Sequence, residues 1–129
     1  MSERIEVPTE VCHKLEPWYG ELPGEVPVLR GSLLGWAFGL IRQHAVTING
    51  TVHWTSRAPE LASLGGTALL GHELFHVLHQ AEVGWWRYLA GYVCRWRPSH
   101  IRHGWEHPYE VDAYARGREI REALTPTTP

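Results

Sequence analysis

Two periodicities alternate along the chain. From His44 to Thr55 the pattern is that of strands: Val46-Thr47-Ile48 and Thr51-Val52-His53-Trp54 flank Asn49-Gly50. Asn-Gly between β-branched residues predicts a hairpin, because both residues accept the positive φ of a tight two-residue turn. From Gly66 to Val83 the period is helical, with Leu69, Leu70, Leu74, Val77, Leu78 and Ala81 at apolar positions and Gly84 as a stop. Trp85–Trp96 predicts a further helix, ended before Pro98. Ser99–His107 reads as a polar loop rich in His. Pro108 opens a last helix to about Leu124, since proline suits the first helical position. Upstream, Leu29–Ile41 carries helical spacing at Leu33, Leu34, Ala37, Phe38 and Ile41. Its glycines at 31, 35 and 39 mark either a weak helix or a closely packed face. Residues 1–28 hold Pro8, Pro17, Pro23 and Pro27 and predict an irregular or short-helical lead-in. The tail Thr125–Pro129 is expected to be disordered.

Composition narrows the classes. With 129 residues and 43% hydrophobic residues, the chain suits one domain with its own core. The formal charge of -2, without a long run of one sign, gives no reason to expect nucleic acid as a partner. The N-terminal residues lack the apolar core of a signal peptide, and no apolar stretch approaches a membrane span. The expectation is a soluble, cytoplasmic protein, taken as a monomer, with neither membrane nor nucleic acid as partner. Cys12 and Cys94 are too few for a disulfide framework and read as reduced thiols. Most of the seven Trp are expected in the core.

The chemistry concentrates in His72-Glu73-Leu74-Phe75-His76. On a helix, positions i and i+4 lie on one face a turn apart, so two imidazoles can reach one ion. Neutral imidazole is a natural zinc ligand, and the glutamate beside it can take a proton from water as general base. The motif sits within a strongly apolar helix, where unpaired His and Glu would be costly to bury and a metal would offset that cost.

A catalytic zinc site usually has three protein ligands. His79 lies about 10 Å beyond His72 along a straight helix, so it suits packing or support of a ligand better than ligation. Glu82 would need a chain reversal before it. Glu110, in His107-Pro108-Tyr109-Glu110-Val111-Asp112-Ala113-Tyr114, lies in the first turn of the last helix. Spacing alone suits a metal ligand and a helix-terminal cap equally. Asp112 is about 200° round the helix from Glu110, so both cannot face one ion. Glu106 is the reserve.

The segment Leu69-Leu70-Gly71-His72-Glu73-Leu74-Phe75-His76-Val77-Leu78-His79-Gln80 resembles the HEXXH segment of small bacterial gluzincin-like metallopeptidase domains, the minigluzincins among them. The stretch Ala45–Val52 and the Glu110-Val111-Asp112-Ala113 helix are similar to their flanking motifs, so the likeness covers about residues 44–117. The resemblance implies an α+β fold of minimal zincin type: a small twisted sheet with a β-hairpin, an active-site helix packed on it, and a C-terminal helix bringing Glu110. It implies His72, His76 and Glu110 as Zn2+ ligands and Glu73 as general base. It also implies substrate held by β-augmentation on Thr51–Thr55 or its partner strand. Two positions depart from the family pattern. Tyr114 stands where an Asp often orients a ligand histidine, and His79 stands where a Gln is usual.

The expected function is zinc-dependent hydrolysis of peptide bonds, with a peptide or protein as substrate. Tyr109, Tyr114, His103 and His107 are candidates for the second group that stabilises the oxyanion. The alternative is a catalytically silent module that binds zinc and a protein partner. A third possibility is latency, with the Cys12 thiolate on the open zinc position.

Overall fold

The computed structural model describes residues 3–40, 43–101 and 103–126. Four short strands form one mixed sheet in the order β1-β2-β4-β3. Strand β1 (Glu3–Ile5) pairs antiparallel with β2 (Val28–Arg30), which runs parallel to β4 (Thr51–Trp54); β4 closes a hairpin with β3 (Ala45–Ile48). Asn49 at φ 49° and Gly50 at φ 78° make the predicted turn. Ala45 and Thr47, paired with Trp54 and Val52, point to one face, which packs on helix α4 (Leu64–Val83).

The expected lead-in contains real structure. Helix α1 spans Thr9–Tyr19, and a short α2 spans Leu22–Glu25. The helix α1 exists because Val11, Leu15 and Tyr19 recur at four-residue intervals and are buried, while Pro17 falls in its last turns. Tyr19 anchors it by donating from its hydroxyl to the Gly71 carbonyl of α4 at 2.6 Å.

The expected helix Leu29–Ile41 divides. Leu29 and Arg30 belong to β2, and helix α3 covers Leu33–Leu40. Ile41 lies outside the described residues. Gly35 and Gly39 are the buried positions of α3. A methyl group on Gly35 would meet the Trp54 carbonyl and His53 Cβ, so α3 lies close against β4 on the sheet face away from α4. Ser32 precedes α3, and its hydroxyl accepts from the Gly35 amide and meets His53 Nδ1 at 2.8 Å.

Helix α4 begins at Leu64, two residues before the predicted start, and is capped by Ser63, whose hydroxyl accepts from the Gly66 amide. Helix α5 covers Trp85–Arg95, two 3-10 turns cover Pro98–Ile101 and Gly104–Glu106, and helix α6 covers Pro108–Leu124. Helices α4 and α6 run alongside each other, and Gly71 permits the approach: any Cβ there would collide with Ile120. Of the expected tail, Thr125 is ordered and caps α6 through the Arg121 carbonyl; residues 127–129 lie outside the described residues.

Candidate metal centre

The middle of α4 buries four polar side chains, His72, Glu73, His76 and Gln80, each at most 8% exposed. These four side chains lie on the sides of α4 covered by the sheet and by α6, so each must find a partner. Glu73 Oε2 accepts from the Thr47 hydroxyl at 2.7 Å, which ties it to the edge strand β3. Gln80 accepts from the Gly50 amide and donates to the Thr47 carbonyl, fixing the hairpin to α4.

His72 and His76 turn to α6. Glu110 Oε2 lies 3.1 Å from Nε2 of each, and the two Nε2 atoms are 3.3 Å apart. Ligands about 2.0–2.1 Å from a tetrahedral zinc ion stand about 3.3 Å from one another, so this triad has the spacing such an ion needs. Two imidazoles and a carboxylate are also the donor set of many catalytic zinc centres. Burial alone would raise the Glu110 pKa. Hydrogen bonds and positive charge from His72 and His76 outweigh it and hold the carboxyl well below the usual range. Burial opposes protonation of His76, but Glu110 and Glu73 overcome it and raise its pKa. The pocket therefore favours positive charge where the Nε2 atoms converge. Glu110 sits in the first turn of α6, but His107 caps that helix, its Nδ1 accepting from the Tyr109 amide.

A residue outside the motif completes the setting. Tyr88 of α5 is buried, and its hydroxyl lies 3.1 Å from His76 Nδ1. With Nε2 facing an ion, Nδ1 carries the proton and donates to the phenol oxygen. Burial and the nearby Glu110 charge push the Tyr88 pKa far up, so this phenol stays neutral. No periodicity in the sequence points to Tyr88, because a turn at Gly84 separates it from α4.

The other candidates fall in distinct places. Tyr114 sets its ring edge-on to His72, with centroids 4.5 Å apart, and is 41% exposed. Tyr109 packs its ring on His79 and Tyr88, while its hydroxyl lies near Arg95 of α5, away from the triad. His107 is buried and donates from Nε2 to the Tyr92 carbonyl; His103 is exposed beside Trp105. His79 packs between Tyr88 and Tyr109. Asp112 and Glu106 are exposed. Cys12 Sγ faces the Val7 carbonyl and lies against Gly24, at the corner of α1 and α2. Cys12 and Cys94 are free thiols. Strand β4 is internal, so Thr51–Thr55 offers no open edge. Its partner β3 does, and Thr47, which holds Glu73, lies on it.

Fold and site thus define a small α+β domain with a buried two-histidine, one-glutamate cluster suited to a metal ion. Residues 6–84 match the eCIS core domain, eCIS being the extracellular contractile injection system, and the chain belongs to that family. No curated protein and no solved structure matches the chain significantly. The gluzincin likeness rests on the motif residues alone. His72, Glu73 and His76 lie inside the matched stretch; Tyr88, Glu110 and Tyr114 lie beyond it.

Proposed function

We propose that this chain is a zinc-dependent peptidase whose substrate is a protein or peptide of the injection system its family is named for. The convergence of His72, His76 and Glu110, with Glu73 buried alongside, carries this reading. A zinc ion held by His72, His76 and Glu110 would polarise a peptide carbonyl and make bound water more acidic. Glu73 takes the proton and returns it to the leaving amine, while Thr47 fixes the rotamer of its carboxylate. The open edge of β3 accepts an extended substrate backbone beside that carboxylate. In this reading Tyr114, half-exposed with its ring against His72, donates to the developing oxyanion.

A second reading is a zinc-binding module without turnover. It is favoured by the environment of His72, which has the edge of Tyr114 beside it rather than a second carboxylate.

Zinc content by elemental analysis, together with cleavage of a broad peptide library with and without chelator, separates these readings. The peptidase reading expects stoichiometric zinc, chelator-sensitive cleavage, and a Glu73→Gln variant that keeps zinc and loses cleavage. Stoichiometric zinc without any cleavage would favour the module. Wild-type cleavage by Glu73→Gln would overturn the assignment of the base.

A further inference from the structure

The expectation that the Trp residues fill the core fails. Trp54 is buried, but Trp36, Trp86, Trp96 and Trp105 are exposed, and three of these four lie on or after α5. The same region has an unusual charge pattern. From Gly84 to Trp105 there is no Asp or Glu, and there are four arginines, Arg87, Arg95, Arg97 and Arg102. We propose that α5 is a membrane-surface helix whose outer stripe, Trp86, Leu89 and Val93, seats in the headgroup region of an anionic lipid bilayer.

At about 100° per residue, Trp86, Leu89, Ala90 and Val93 share an arc about 100° wide. Trp86 is 78% and Val93 63% exposed. The opposite side of the helix is already engaged, with Tyr88 buried on His76 and Tyr92 stacked on His107. The helix is therefore apolar on two sides, and only one is satisfied within the described residues. Arg87 flanks the free stripe and Arg97 stands beyond its end near Trp96, while Arg95 lies on the opposite side against Tyr109. Indole at the headgroup level, an aliphatic stripe below it and guanidinium groups on the phosphates is the pattern of a helix lying in a bilayer interface.

Two further features favour a lipid surface. The stripe lies on one exposed helix and is narrow, as a helix resting on a plane requires. Beside its C-terminal end is a cavity of about 480 Å³, lined by Arg95, Arg97, Ser99 and His100, with Glu106 its one acid. Such a lining can take a headgroup phosphate. Among the described residues no helix is long and apolar enough to cross a membrane. The expectation of no membrane partner considered only spans, and an interfacial helix of eleven residues escapes that test. Zinc binding and peptide hydrolysis play no part in this.

Co-sedimentation of the full chain with vesicles tests the proposal, comparing phosphatidylglycerol–phosphatidylcholine mixtures with phosphatidylcholine alone. Binding is expected to the anionic vesicles, with weakening by salt. Arg87→Gln and Arg97→Gln should each weaken it by about fivefold. The double variant Trp86→Ser/Val93→Ser should weaken it by about tenfold or more through lost apolar area. Both altered groups are solvent-facing, so its far-UV circular dichroism should match wild type, which separates lost binding from lost fold. No binding to anionic vesicles overturns the proposal, as does binding that survives the double variant. Self-association abolished by the double variant, without vesicle binding, also overturns it and makes a second copy the occupant.

Discussion

The Tyr88 hydroxyl lies 3.1 Å from Nδ1 of His76, so helix α5 sets the orientation of an imidazole on α4. Its removal tests that relationship. Tyr88→Phe keeps the packing and leaves a buried ring nitrogen without its partner. Loss of such support typically weakens metal binding by about 10–100-fold. Chelator competition on purified protein should show a fall in that range. Unchanged affinity would show that His76 is oriented by packing alone.

Thr47 is expected to act on chemistry more than on metal. Thr47→Val preserves shape and removes the donor to the Glu73 carboxylate, a hydrogen bond made at 2.7 Å. Zinc content should stay at the wild-type level. Cleavage should fall by about tenfold or more, because a misplaced base loses its alignment. Stability should fall by about 1.5–3 kcal/mol, the usual worth of a hydrogen bond to a charged group. Urea denaturation read beside peptide turnover separates the two effects.

Gly71 tests the packing of α4 on α6. Gly71→Ala drives a methyl group into the Ile120 side chain and should cost about 1–3 kcal/mol. Ile120→Val removes the obstructing terminal methyl and should cost about 0.5–1.5 kcal/mol alone. The double variant should be less destabilised than the sum of the singles, since the two changes relieve one clash. Full additivity in urea unfolding would place the strain elsewhere.

The His53–Ser32 pair predicts a pH dependence. Burial lowers the His53 pKa from its usual 6.5, and its Nδ1 meets the Ser32 hydroxyl, which itself accepts from Gly35. Burial of the imidazole disfavours its charged form. The unfolded chain binds this proton more readily than the folded one. The stabilisation is therefore present above about pH 6.5 and lost as pH falls through the lower folded pKa. Unfolding midpoints should decline across that window, and the decline should be shallower in His53→Asn. An identical slope in the two proteins would exclude His53 as its source.

Features written in neighbouring residues were readable from the sequence. Asn49-Gly50 specifies its own turn, and His72 and His76 share a helical face whatever surrounds them. Pro108 marks the start of α6 without reference to the rest of the fold. Features that depend on distant partners were not readable. Strands β1 and β2 are three residues each, too short for any period, and become strands only by pairing. Pro17 masked α1, whose buried face is set by contact with α4. Thr47 and Tyr88 each bear on the centre from another element, and neither stands at a recognisable spacing from His72. Glu110 was ambiguous because ligand and cap demand the same place in a helix. The structure separates the two roles by giving the cap to His107.

The Gly84 boundary of the matched stretch has a consequence for how the centre comes into being. Synthesis runs from the N-terminus, so His72, Glu73 and His76 leave the ribosome before Glu110 and Tyr88 have emerged. During that interval the chain presents two imidazoles but neither the carboxylate that closes the triad nor the phenol that orients one ring. The cluster suited to a metal ion is thereby complete only when the last helix docks. A nascent or truncated chain ending near Gly84 would carry His72, Glu73 and His76 with neither Glu110 nor Tyr88 to complete the cluster.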